Sequence, residues 1–190
     1  MTLDGLARWL ATGLGLGYFP LLPGTAGAIV GAVFAMGFGW LSPWVRLALT
    51  AALVALAIPI CEYGARGFEG SDSPHIVADE LLTLPVAPVL LPIRHHPVLL
   101  AGVFVTSRAF DGLKPPPARA AEGLHGGIGI VLDDVVANLW TAVLWLIGLR
   151  WWYRRKSGSL TNSKKLVEVK RLRFLTGFPR QFQNPFHLIM

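Results

Sequence analysis

The chain has one cysteine in 190 residues, charged side chains make up only 15% of it, and its Asp and Glu number eleven against seventeen Lys and Arg. A single thiol excludes a disulfide framework and a cysteine-built zinc site. Cys61, at the end of an apolar run, is expected as a small buried hydrophobe. So little charge beside 53% hydrophobic residues, at a mean hydropathy of +0.53, excludes an ordinary soluble domain. Period-two alternation is scarce, which argues against strands, while the apolar stretches are rich in Ala, Leu and Val. The first residues lack the basic, apolar, small-residue plan of a cleavable signal, so the N-terminus is expected to stay attached. What remains is an all-α chain, a small multi-helix membrane protein.

Its apolar stretches run from about Gly27 to Leu41, Leu47 to Cys61, Leu84 to Ile93, Pro97 to Thr106 and Val135 to Leu149. A perpendicular crossing takes about 20 apolar residues, so these read as short helices, some of them re-entrant or interfacial. Trp40, Trp44, Trp140, Trp145, Trp151, Trp152 and Tyr153 cluster at segment ends, as rings at the headgroup level do. Leu84–Thr106 is expected to be a hairpin with Arg94, His95 and His96 at its tip, which lets the acidic motifs share one face.

Charge divides unevenly. Residues 1–149 carry a balance of −3 and residues 150–190 a balance of +9. The chain accordingly separates into a helical membrane domain, 1–153, and a basic appendage, 154–190, which reads as a disordered tail, with a basic amphipathic surface helix over Lys164 to Leu175 as the alternative. A basic tail after an apolar segment is expected against anionic lipids, each cation contributing about 1 kcal/mol near the surface. No nucleic-acid motif accompanies the charge, so nucleic acid is not an expected partner.

Five carboxylates stand beside apolar segments: Asp79 and Glu80, Asp111, and Asp133 and Asp134. A carboxylate near a bilayer centre costs roughly 2.5–3.5 kcal/mol on insertion scales and calls for a cation, a water-filled cavity or an interfacial position. Hard oxygen ligands suit Mg²⁺, or Mn²⁺, and Mg²⁺ takes one or two protein carboxylates and leaves other positions to water and phosphate. Adjacent helical residues point about 100° apart, so Asp133 and Asp134 are expected to play different parts. Arg108, Asp111 and Lys114 recur every three residues along one helical face before the prolines at 115–117, a grouping that suits phosphate held between a metal and two cations.

Two glycine-bearing turns are candidate phosphate cradles. In Pro23-Gly24-Thr25-Ala26-Gly27, Thr25 is expected as the helix N-cap, and His125-Gly126-Gly127-Ile128-Gly129 precedes the helix with Asp133 and Asp134; each would aim backbone N–H groups at an anion. His125 is also a candidate general acid. Neither turn has the Gly-Lys-Ser/Thr ending of a P-loop, and Cys61-x4-Arg66 is one residue short of a Cys-x5-Arg loop.

Taken in order, Pro20-x-x-Pro23-Gly24-Thr25-x-Gly27, Ile76-Val77-x-Asp79-Glu80, Phe104-x-x-x-Arg108-x-Phe110-Asp111-x-x-Lys114-Pro115 and Gly126-Gly127-x-Gly129-Ile130-x-x-Asp133-Asp134 resemble the phosphatidylglycerophosphatase A family over about residues 10–149. The resemblance implies Mg²⁺-dependent hydrolysis of phosphatidylglycerophosphate to phosphatidylglycerol at the bacterial inner membrane, with the site facing the cytoplasm. It implies metal ligands among Asp79, Glu80, Asp111, Asp133 and Asp134, catalysis by Asp79, Asp111 and Asp134 with Arg108 and Lys114, and phosphate contacts at the two glycine turns. Ala28, Thr83 and Asn138 depart from it, where the family often has Ser, Gly and Gly. The residues alone leave a second reading, a small cation transporter or channel subunit using membrane-embedded acids.

Overall fold

The computed structural model describes residues 3–68, 73–121 and 123–158. They form α1 (Leu3–Ala11), α2 (Pro23–Phe38), α3 (Pro43–Ala65), α4 (Ala78–Thr83), α5 (Pro97–Leu113), α6 (Ala118–Ala121) and α7 (Gly127–Gly158), with 3₁₀ turns at Leu16–Tyr18, Leu84–Val86 and Ile93–His95 and no strand among the described residues. The expected all-α architecture is what forms.

Proline sets several helix starts. Pro23, Pro43 and Pro97 each occupy the first turn of their helices, where a missing N–H costs nothing and a fixed φ favours the helix. Ser42 caps α3 by accepting a hydrogen bond from the Val45 N–H at 3.4 Å. α5 ends where Lys114 turns left-handed, at φ 45°, immediately before Pro115, which disfavours α-helix at the residue preceding it.

α3 and α7 are longer than their apolar runs suggested, because the helix continues through the polar residues at their ends. Both are long and apolar enough to cross a membrane, and only 22% and 33% of their apolar windows are buried inside the protein. A core helix of a soluble domain would be mostly covered, whereas the apolar flanks of these two face outward.

Leu84–Ile93, by contrast, is not a regular helix. Pro85, Pro88 and Pro92 break it into 3₁₀ and simple turns, and it runs as a buried core element with Leu84, Ala87 and Leu91 at most 1% exposed. It descends beside α2: Glu80 lies against Gly24 and Val77 against Gly27, near the start of α2, whereas Ile93 and Arg94 lie against Gly39 at its end. Arg46 of α3, only 5% exposed, donates to the Leu91 carbonyl at 3.1 Å and ties this descending arm in place. The chain turns at Ile93–His95, with Arg94 stacked 4.2 Å over Trp40, and α5 returns. The hairpin expected from the sequence is present, with one arm irregular.

Cys61 is fully buried among Ala11, Ala57, Ile76, Ala78, Leu82 and Val131, as a small hydrophobe. α1 reaches this cluster through Gly64, where a side chain would collide with Ala11. α7 passes through residues 153 and 154 without a break and ends at Gly158. The rest of the appendage, including Lys164–Leu175, for which a disordered tail and a surface helix are the alternatives from sequence, lies outside the described residues.

Candidate active site

The start of α2, α4, the end of α5 and the first turns of α7 meet at one end of the bundle around a cavity of about 480 Å³. α4 contributes Asp79 and Glu80, α5 and its cap contribute Arg108, Asp111 and Lys114, and α7 contributes Asp133 and Asp134. All five acids and both cations singled out in the sequence line this one space. Gly24, Thr25 and Gly126 line it too, with Leu22 and Leu124 on its apolar side.

The cations are already paired. Arg108 lies 3.5 Å from Glu80 Oε1 and 3.3 Å from Asp111 Oδ2, and Lys114 Nζ lies 3.1 Å from Asp133 Oδ2. The helical-face expectation holds for Arg108 and Asp111, whereas Lys114 reaches Asp133 from the left-handed residue beyond α5. Asp133 and Asp134 have different surroundings: Asp133 takes Lys114 and its Oδ1 accepts from the Asp134 N–H at 2.9 Å, whereas Asp134 is 3% exposed.

Five carboxylates against two cations leave the cavity with an excess of negative charge. Asp79 Oδ1, Glu80 Oε2 and Asp134 Oδ2 are buried without a hydrogen-bond partner, a state that costs a few kcal/mol unless a proton or cation joins them. Burial raises Asp79 well above the ordinary carboxylate range, and the neighbouring charge of Glu80 adds to the rise. Burial also lifts Glu80 to about 7, with Arg108 opposing. These orphaned hard oxygens fit a divalent cation. Among the described residues, however, no three His, Cys, Asp or Glu side chains are gathered as a ready ligand set, so the five acids named as ligands are cavity neighbours and not a closed cage. One or two carboxylates completed by water and phosphate is the arrangement Mg²⁺ ordinarily takes.

The glycine turns behave differently from each other. α2 begins at Pro23, its N-cap is Leu22 at φ 53°, and Thr25 is therefore inside the first turn and not the cap. The first helical bond runs from the Ala26 N–H to Leu22 O at 3.2 Å, which leaves the Gly24 and Thr25 N–H groups unpaired within the helix, at the cavity wall. Gly27 does not reach the cavity: a Cβ there would meet the Val77 carbonyl oxygen at 2.8 Å, so it is a packing glycine. At the second turn the Gly127 N–H donates to Glu62 Oε2 at 2.5 Å. That carboxylate occupies the start of α7, so Gly127 is not free to hold an anion. His125 is exposed and does not line the cavity, although its neighbours Leu124 and Gly126 do. His95 and His96 are exposed at the far tip, as expected.

Sequence reasoning missed two arrangements. Glu62 caps a helix that starts 65 residues later, a pairing that no local motif announces. Ser107, Asn138 and Thr83, at most 2% exposed, are hydrogen-bonded to one another below the cavity, Ser107 Oγ donating to Asn138 Oδ1 at 2.6 Å and Asn138 Nδ2 donating to Thr83 Oγ1 at 3.2 Å. Thr83 and Asn138 had stood out only as departures from a family pattern.

A cavity of about 480 Å³ that gathers five acids, two cations and the N–H groups of a helix start at one end of an all-helical bundle, two of whose helices are long and apolar enough to cross a membrane, suits a class, helical enzymes that act on phosphate esters. Sequence comparison narrows it: the family model for Phosphatidylglycerophosphatase A matches residues 9–149, and the chain belongs to that family. A Bacteroides thetaiotaomicron protein provisionally named phosphatidylinositol-3-phosphatase is 33% identical over 150 residues, 73% of this chain and 94% of that one. The Phosphatidylglycerophosphatase A of Escherichia coli is 34% identical over 145 residues, 75% of this chain and 83% of its own. That of Haemophilus influenzae is 31% identical over 145 residues, covering 75% and 88%. No solved structure matches the chain significantly.

Proposed function

We propose that the chain hydrolyses phosphatidylglycerophosphate to phosphatidylglycerol and phosphate, with Mg²⁺ or Mn²⁺ as cofactor, within phospholipid biosynthesis at the bacterial inner membrane. The observation that carries this reading is the convergence of Asp79, Glu80, Asp111, Asp133 and Asp134 with Arg108 and Lys114 in one cavity at one end of the helical bundle.

Arg108 and Lys114 exchange a carboxylate contact for phosphoryl oxygens, and the Gly24 and Thr25 N–H groups bind a further oxygen at the start of α2. Asp79, Glu80 and Asp134, with their orphaned oxygens, are the residues that would hold the cation, with Asp111 and Asp133 beside them. When bound, the cation neutralises phosphoryl charge and makes water more acidic. A cavity carboxylate beside those that would hold the cation takes the proton from the attacking water as the new P–O bond forms and the ester P–O bond breaks; the proton lost by water is balanced by one gained on the lipid alcohol. Leu22 and Leu124 give the glycerol backbone an apolar wall. Arg108 and Lys114 inside the cavity disfavour the transporter reading, since a passing cation would meet two fixed positive charges.

Orientation is under two opposed demands. The family resemblance favours a cavity on the cytoplasmic side. The Lys/Arg bias toward that side favours placing there the other end of the bundle, where α7 carries Arg150, Arg154 and Arg155.

The test is phosphate release by the purified chain in mixed micelles, with phosphatidylglycerophosphate and phosphatidylinositol 3-phosphate offered separately and in competition. Preferential release from the first supports the proposal. Preference for the second, or cation flux without hydrolysis, would replace it.

A further inference from the structure

Three helices bring the acids to the cavity, and each has a second polar residue one turn further into the bundle. Thr83 follows Asp79 by four positions in α4, Ser107 precedes Asp111 by four in α5, and Asn138 follows Asp134 by four in α7. Residues four apart on a helix lie on one face, about 6 Å along the axis. The three second residues form the chain of hydrogen bonds from Ser107 to Asn138 to Thr83, and none of them lines the cavity. Each helix thus presents a carboxylate to the cavity and, directly beneath it, a member of a shared polar node.

We propose that Ser107, Asn138 and Thr83 are positioning residues for the reaction, a hydrogen-bonded floor that fixes the rotation of α4, α5 and α7 so that Asp79, Asp111 and Asp134 face one point. This rests on the phosphatase reading above. The physical argument is one of register. Apolar contacts tolerate helix rotation and sliding, because one methyl group substitutes for another at small cost. A buried amide that loses its partner pays the full desolvation penalty, so the node singles out one rotational setting of each helix. Asn138 is the centre, using its oxygen toward α5 and its nitrogen toward α4. Rotation of any of the three helices swings its aspartate out of the cavity and breaks a node bond in the same movement. Thr141, three residues beyond Asn138, is bonded within its own helix, its Oγ1 donating to Ala137 O at 3.0 Å.

The experiment compares steady-state phosphate release from phosphatidylglycerophosphate by wild type, Asn138→Leu, Thr83→Val, Thr83→Ser and Val103→Ala, each reconstituted and corrected for folded protein. Val103, a fully buried core residue of α5, controls for loss of stability alone. Asn138→Leu is expected to lower kcat by tenfold to about a hundredfold, the scale of an ångström misplacement of reacting groups, with KM changed less than about twofold because the groups that bind phosphate remain. Thr83→Val should lower kcat less, Thr83→Ser should recover it, and Val103→Ala should leave kcat per folded molecule unchanged despite a lower Tm. Unchanged kcat in Asn138→Leu, or an equal kcat loss in Val103→Ala at matched Tm, would overturn the inference while leaving the phosphatase reading intact. Absence of release by wild type would overturn that reading and the inference with it.

Discussion

A carboxyl group with its pKa lifted from 4.5 to about 7 by burial binds its proton more tightly in the folded protein than in the unfolded chain. Glu80 is such a group, and Asp79 beside it is raised as well. The sign of the linkage follows: between about pH 4.5 and 7 the folded state holds more protons, so stability falls as pH rises through that window. In chelator, the Tm of the solubilised protein is expected to decline from pH 5 to 7.5. Saturating Mg²⁺ should flatten the decline, because a cation replaces the proton and releases it on binding. A Tm independent of pH in chelator would contradict this electrostatic picture. At the same scale, Asp79→Asn and Asp134→Asn are each expected to reduce phosphate release by at least about a hundredfold while membrane insertion, read from fractionation, is unchanged. The acids and cations of the cavity were legible in the sequence because charge is expensive beside apolar runs. The second glycine turn was less legible for the opposite reason: glycine is inexpensive at a helix start, and a distant acid, Glu62, takes the Gly127 N–H.

Among the elements, α2 and α4 depend on close approach. Small residues at Gly24, Gly27 and Gly31 let α2 lie on α4, and a Cβ at Gly31 would meet the Leu81 carbonyl oxygen at 2.6 Å and the Leu84 Cβ at 2.9 Å. Backbone cannot yield as a flexible side chain can. Gly31→Val is therefore expected to destabilise the protein by about 1–3 kcal/mol through overpacking, readable as a lower Tm, with Gly37→Ala, at an open position, as the neutral comparison. Gly27 was assigned to phosphate from its turn motif. Spacing alone does not reveal which face of a helix start is pressed against a neighbour, and that face decided its role. The irregular arm at Leu84–Ile93 was legible as part of a hairpin through its apolar content, and its prolines explain why no regular helix forms there. The polar node was not legible, since Thr83, Ser107 and Asn138 share no motif and meet only once three helices have docked.

For the molecule as a whole, the path of the chain fixes which residues share an end. α2 leaves the cavity end, α3 returns, the hairpin descends and rises, and α7 leaves again. The number of passes is odd, so Arg150, Arg154 and Arg155 stand at the end opposite the cavity. The irregular arm does not cancel a pass, because it traverses beside the full length of α2. In sealed vesicles, cysteines placed at Ser73 by the cavity and at Arg155 are expected to react with an impermeant maleimide from opposite sides. Labelling from the same side would contradict the helix path. The side on which Ser73 reacts also decides between the two orientation demands.

The central claim is that the buried carboxylates act on phosphate with a divalent cation, and phosphate release from phosphatidylglycerophosphate vesicles by wild type and Asp134→Asn, with Mg²⁺ and with chelator, tests it most directly. Release by wild type in Mg²⁺ alone, lost in chelator and in the variant under both conditions, is the expected result. Undiminished release by Asp134→Asn, or by wild type in chelator, would contradict it.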